Sequence, residues 1–202
     1  MSEIIVVTNR RLCKENLPDR IEKLCEASPK AIILREKDLT ADEYKAHAKE
    51  IMPICEQNGV KFIIHSFPDV AMELNCKAIH LPLSGLVALN EDKKSFFSVL
   101  GASCHSVEDA KKAESMGCTY ITAGHVFDTD CKKGLPGRGL DFLEKVCSSV
   151  QIPVYAIGGI ERNKMQQILK CGAKGACIMS AAMIRDDVKE YLREFGVKNE
   201  IL

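Results

Sequence analysis

The run Gly124-His125-Val126-Phe127-Asp128-Thr129-Asp130-Cys131-Lys132-Lys133-Gly134 gathers the titratable side chains best suited to chemistry. It follows directly on the apolar segment Cys118-Thr119-Tyr120-Ile121-Thr122-Ala123, so a histidine, two acids and two lysines stand where a buried strand surfaces. A strand held in a core is a rigid mount, and groups at its end can be positioned for proton transfer. Histidine titrates near neutrality and can both give and take a proton, which makes His125 the candidate acid–base residue. Taken alone, the same loop could equally be a solvated surface. The elements around it have to decide.

Those elements alternate. Short β-branched or apolar runs at 4–8, 31–34, 60–64, 78–81, 99–103, 120–123, 152–157 and 175–179 read as strands buried on both faces. Between them lie helical patterns: one from Pro18, one opened by Thr40-Ala41-Asp42-Glu43 in the form of a capping box, and others near 69–74, 106–116, 140–150, 165–169 and 188–195. Pro53 should kink the second helix, and residues 82–97 offer only Leu86, Val87, Leu89, Phe96 and Phe97 as a helical surface. Alternation of this kind implies parallel strands with right-handed crossovers, and eight units close into a single (β/α)8 TIM barrel spanning 1–202. An open doubly wound sheet would place a glycine-rich fingerprint after the first strand, where Asn9-Arg10-Arg11 stands instead.

In a barrel the functional groups lie at the C-terminal strand ends. Strand two delivers Arg35 and Lys37, whose i, i+2 spacing points both the same way. Strand three delivers His65, strand five Ser103 and His105, and strand six His125 with Lys132. Gly158-Gly159 after strand seven and Ser180-Ala181 after strand eight occupy the places where barrels bind phosphate through backbone N–H groups. Arg35 and Lys37 could clamp a carboxylate or a second phosphate, with the arginine suited to bidentate contact.

The composition narrows the partners. Lysine plus arginine equals aspartate plus glutamate at 28 each, which argues against nucleic acid or an anionic membrane as the main partner. No apolar run reaches the roughly 18 residues of a membrane span, and the N-terminus enters its strand without a basic leader. A soluble, cytoplasmic protein is expected. The ten cysteines are scattered singly, without a C-x-x-C pair or a zinc-type cluster, and read as small core hydrophobes. No metal site and no cofactor is expected, and a homo-oligomer stays open.

Taken together, Leu34-Arg35-Glu36-Lys37, Ser103 with His105, the strand-six run, Ala156-Ile157-Gly158-Gly159-Ile160 and Met179-Ser180-Ala181 resemble the thiamine-phosphate synthase superfamily of (β/α)8 barrels. Within it, the strand-six run looks most like the TenI-type thiazole tautomerases. That resemblance implies a metal-independent isomerase acting on a phosphorylated carboxythiazole. His125 would move the proton, and Arg35, Lys37, His65, Ser103 and Lys132 would contact substrate. Gly158, Gly159, Ser180 and Ala181 would cradle its phosphate. The synthase branch is the alternative: it joins an aminopyrimidine pyrophosphate to a thiazole phosphate and uses magnesium. Its metal aspartates follow strands three and four, where this chain has His65-Ser66-Phe67 and Pro82-Leu83-Ser84-Gly85, and Ile33 stands where the synthases carry a glutamine. A non-catalytic binder of a phosphorylated thiamine-pathway compound is the remaining alternative.

Overall fold

The computed structural model describes residues 3–132 and 134–195. Lys133, within the strand-six run, lies outside them. Eight parallel strands pair each with the next, and the last pairs with the first, so the sheet closes into a barrel. The strands are β1 (Glu3–Val7), β2 (Ala31–Leu34), β3 (Lys61–His65), β4 (Ala78–Pro82), β5 (Val99–Cys104), β6 (Tyr120–Gly124), β7 (Val154–Ile157) and β8 (Gly175–Ile178). The helices are α1 (Leu17–Cys25), α2 (Ala41–Gln57), α3 (Pro68–Glu73), α4 (Leu83–Ala88), α5 (Glu91–Ser95), α6 (Val107–Ser115), α7 (Gly139–Ser149), α8 (Met165–Lys170), α9 (Ser180–Ile184) and α10 (Val188–Arg193). The (β/α)8 TIM barrel expected from alternation is the observed fold. No helix among the described residues is long and apolar enough to cross a membrane.

Local sequence explains most of the boundaries. Asn16, Thr40, Asn90 and Ser106 each accept a hydrogen bond from the backbone N–H three residues on, so four helices start at capping side chains. The Thr40–Glu43 box is reciprocal. Pro53 does not interrupt α2: it is exposed, and the Lys49 carbonyl it cannot bond to also sits on the wet side. Residues 82–97 resolve into the two short helices α4 and α5. Strand β7 begins at Val154 rather than Ile152, because Pro153 has no N–H to add to the ladder. Its carbonyl still accepts from Ile121 N–H at 3.0 Å.

The barrel interior is layered and partly polar. Gly101 faces inward, and a Cβ there would lie 2.2 Å from the Tyr120 ring, so the glycine makes room for that ring. Tyr120 meets Tyr155 edge-on, and the Tyr155 hydroxyl donates to Glu3 near the barrel floor. Above this layer the rings of His65 and His80 stack with centroids 5.9 Å apart. Ser103, Thr122 and Arg35 then lead out to the mouth. Polar groups therefore line the upper half of a barrel that is closed by aromatic rings below.

Candidate active site at the barrel mouth

Arg35 and Lys37 owe their direction to the buried residue between them. Glu36 alternates to the opposite side and is only 2 % exposed. It accepts from Thr8 Oγ1 at 2.6 Å, from the Arg10 N–H at 3.1 Å and from Arg10 Nη1 at 3.1 Å. Thr8 Oγ1 in turn accepts from the Arg35 N–H at 2.9 Å. The ends of β1 and β2 are thus pinned together, and the Arg35 side chain has no choice but the mouth. Arg10 and Arg11 also pair with Asp38. Both acids next to Arg35 and Lys37 are consequently committed elsewhere.

Glu36→Ala is expected to destabilise the fold by about 2–3 kcal/mol, because it strands the Thr8 hydroxyl and the Arg10 N–H inside the protein. A urea midpoint that does not move would contradict this account of the clamp. Glu36→Gln, which keeps the acceptor oxygen, should recover part of the loss.

Arg35, Lys37 and Lys132 have no carboxylate partner among the described residues. They nevertheless feel one another. The charge of Arg35, then partial burial, then the charge of Lys132 hold the Lys37 ammonium below the ordinary lysine range. Burial likewise lowers the Arg35 guanidinium, which approaches Met179 Sδ at 4.0 Å at the end of β8. Three cations without a salt-bridge partner among the described residues face one opening and attract an anion; Glu36 offsets part of the Arg35 charge, while Arg35 and Lys132 press on Lys37 until the anion arrives.

The histidines divide by environment. His65 ends β3; its N–H donates to the Tyr44 hydroxyl at 2.9 Å, and that hydroxyl donates to the Leu34 carbonyl. Burial, then the neighbouring His80, Arg35 and Lys37, push the His65 pKa down to about 3. His80 is pushed down to about 3 by burial. Both rings are neutral at working pH. His80 lies between Tyr120 and Ser103, 3.0 Å from the Tyr120 hydroxyl and 2.9 Å from Ser103 Oγ. Thr122 Oγ1 approaches Ser103 Oγ at 3.5 Å.

His125 sits where β6 ends, after a cis Gly124–His125 peptide. Its Nε2 lies 3.2 Å from the Leu135 carbonyl, so that nitrogen carries the proton and donates. Neither Asp128 nor Asp130 is its partner; Asp128 instead accepts from the Gly137 N–H at 2.7 Å and closes the loop. His105 donates from Nδ1 to the Gly124 carbonyl at 2.7 Å and steadies the same strand end.

Gly158 and Gly159 pack against this loop. With φ of +99° and +63°, they lie where a Cβ would come within 2.3 Å of His125 Cβ and 2.4 Å of the Asp128 carbonyl oxygen. Ser180 and Ala181 open α9, and Cys131 Sγ stands 3.3 Å from Ser180 Oγ, linking the β6 loop to the end of β8. Between these segments is a cleft of about 1010 Å³ bordered by Asn9, Asp128, Lys132, Pro136 and Ser180.

The residues singled out in the sequence thus converge in two groups. Arg35, Lys37, Lys132, His65 and Ser103 belong to a cationic mouth over a neutral polar floor. His125, Gly158 and Gly159 form a tightly packed rim, with Ser180 and Ala181 beside it. The Thr8–Glu36–Arg10 clamp and the Tyr120–His80 pair were not assigned from sequence. Their signal was strand parity, which sets Glu36 against its neighbours and aligns His80 with Tyr120 across the Gly101 gap.

Against this geometry the similarities can be set. The family described as thiamine monophosphate synthase matches residues 4–182. The chain belongs to that family. It is 30 % identical over 205 residues to the thiamine-phosphate synthase of Clostridium tetani, covering 98 % of this chain and 96 % of that one. It is 31 % identical over 187 residues to the thiamine-phosphate synthase of Pyrococcus horikoshii, covering 93 % and 89 %. The solved thiamine phosphate pyrophosphorylase from Pyrococcus furiosus superposes with a TM-score of 0.83 at 30 % identity, over 96 % of this chain and 93 % of that one.

The expectation of a TenI-type thiazole tautomerase, and with it of an isomerase, is corrected by these relatives, which are named thiamine-phosphate synthase and thiamine phosphate pyrophosphorylase, names of a transferase. That expectation rested on the strand-six run and on the missing metal aspartates after strands three and four, and similarity along nearly the whole barrel outweighs both. The geometry shows why a loop is poor evidence: His125 donates to its own loop at Leu135, a contact that holds the segment's shape whatever the reaction.

Proposed function

We propose that the chain is a transferase of the thiamine-phosphate synthase type, joining an aminopyrimidine pyrophosphate to a thiazole phosphate at the barrel mouth. The bond between the pyrimidine's exocyclic carbon and the pyrophosphate oxygen breaks, and the leaving pyrophosphate takes the electron pair. The thiazole ring nitrogen supplies the pair for the new carbon–nitrogen bond. The observation that carries this reading is the set of three cations, Arg35, Lys37 and Lys132, that have no salt-bridge partner among the described residues. They are suited to binding pyrophosphate and to stabilising the charge that develops as it leaves. The backbone at Gly158, Gly159, Ser180 and Ala181 is the candidate cradle for the second phosphate.

The magnesium ion that the synthase branch uses finds no carboxylate at the ends of β3 and β4, and the acids left at the cleft are Asp128, which already accepts from the Gly137 N–H, and Asp130 on the β6 loop. Mg²⁺ is held through one or two carboxylates together with substrate phosphates. The ends of β3 and β4 present His65, Ser66, Pro82 and Ser84, and Glu36 and Asp38 are taken up by Thr8, Arg10 and Arg11. No group of three His, Cys, Asp or Glu among the described residues could hold a metal. The catalytic charge is therefore assigned to the protein's own cations. The same donor set favours a second reading, a binder of phosphorylated thiamine intermediates without turnover.

Incubating the purified protein with both substrates, with and without magnesium, and following pyrophosphate tests both. Release of pyrophosphate with formation of thiamine phosphate is expected. No pyrophosphate in either condition overturns the transferase, and binding of either substrate without turnover then selects the binder.

A further inference from the structure

The polar floor beneath the cations contains a hydrogen-bonded chain whose direction can be worked out. Among the described residues the buried Tyr120 hydroxyl has one partner, His80 Nδ1 at 3.0 Å. A phenol with one partner donates to it, since accepting instead would leave its own proton buried and unpaired at a cost of about 1–3 kcal/mol. A neutral imidazole has one donor and one acceptor nitrogen. If Nδ1 accepts from Tyr120, Nε2 carries the proton and donates to Ser103 Oγ at 2.9 Å. Thr122 Oγ1 donates to the same oxygen at 3.5 Å. Ser103 Oγ has then accepted twice, and its own proton has only the mouth to turn to.

We propose that Tyr120 and His80 are positioning residues that fix Ser103 as a hydrogen-bond donor toward an anionic oxygen of the bound substrate. The dipoles run in one sense, from the phenol on the barrel floor to the serine at its mouth. Gly101 belongs to the device, because any side chain there would expel the Tyr120 ring. Ser103 so arranged discriminates: it bonds a phosphate or pyrophosphate oxygen and offers nothing to a donor group. The proposal deepens the transferase reading and rests on it for the identity of the anion, but the chain's polarity can be tested without any turnover.

The test pairs imidazole nitrogen NMR with binding of inorganic pyrophosphate. In the wild type the His80 spectrum should show a bare Nδ1 and a protonated Nε2. Tyr120→Phe keeps the ring in the Gly101 gap but removes the only group bonded to Nδ1 among the described residues, so Nδ1 is unpaired in either tautomer, the bonded preference for Nε2–H is lost, and Ser103 is held less firmly as a donor to the mouth. A three- to tenfold weakening of pyrophosphate binding is expected for Tyr120→Phe, and about the same for Ser103→Ala. In the Ser103→Ala background, Tyr120→Phe should have no further effect, an outcome that a general loosening of the barrel would not produce. A protonated Nδ1 in the wild type, additive losses in the double variant, or a wild type that does not bind pyrophosphate would each overturn the proposal. A wild type that binds pyrophosphate with the expected coupling yet turns over no substrate would sink the transferase reading alone.

Discussion

Replacing Arg35 with alanine is expected to lower kcat/KM for the pyrophosphate-releasing reaction by a hundredfold or more. Loss of one preorganised group from a charge-stabilising site typically costs on the order of 10²–10³ in rate. Arg35 should sit at the upper end of the three cations, because it is only half exposed and its charge is least screened by water. Lys37 and Lys132 are exposed, and their alanine variants should lose less and respond more to salt. Arg35→Lys should restore only part of the activity, since a single ammonium cannot reproduce the guanidinium fork on two phosphate oxygens. Stability should move the other way. The three cations repel one another in the free protein, so Arg35→Ala should raise the melting temperature slightly while activity falls. Steady-state kinetics and a thermal melt on the same preparation check both halves. An Arg35→Ala enzyme with wild-type kcat/KM would remove the mouth cations from the mechanism.

The second large effect is acid lability. His65 and His80 are held neutral in the folded state, each with its pKa down to about 3, chiefly by burial. In the unfolded chain both titrate near 6.5. Their folded values lie below their unfolded values, so below about pH 6.5 the unfolded state binds more protons than the folded one. The stability they confer is complete above that pH and is lost as pH falls toward 3. The slope is about 1.4 kcal/mol per pH unit for each histidine. Urea titrations between pH 7 and 4 should show a steep fall, and a variant with His65→Gln should show a shallower one. A stability that stays level across that window would contradict the neutral, buried state assigned to these rings. The His65–His80 stack makes the two protonations hinder each other, because a first imidazolium would lie 5.9 Å from the second ring.

The fold was legible because its signals are local and repeated. Ile4-Ile5-Val6-Val7 and Ala31-Ile32-Ile33-Leu34 are short, β-branched-rich runs of strand length, and they are strands buried on both faces. The Thr40–Glu43 box announces its helix in four residues. Most strand boundaries shifted by a residue at one or both ends, and β7 shifted by two because Pro153 has no N–H for the ladder. Residues 82–97 were weak in sequence because α4 and α5 are about a turn and a half each, too short for an apolar stripe to repeat.

The site was legible by half. Position along the chain placed Arg35, Lys37, His65, Ser103, His125 and Lys132 at or beyond strand ends, which in a barrel share one mouth. Which of them act together could not be read from that rule. Arg35 projects into the mouth because Glu36 is tied to Thr8 and Arg10 across 26 or more residues of chain, and spacing within one strand carries no trace of such a partner. His80 lies in an apolar strand, where it reads as a hydrogen-bonded core or mouth residue without named partners. Only the closed barrel brings it between a tyrosine of β6 and a serine of β5.

For this protein the sequence alone determined the barrel, its strand order and the set of residues around the mouth, because each rests on a periodicity or a strand end within one βα unit. Pairing was decided by the tertiary structure: which acids are already spent, which cations are left unanswered, and which way the hydroxyls and the imidazole point. Those are properties of distance and burial between units, and they exist only once the eighth strand has closed on the first.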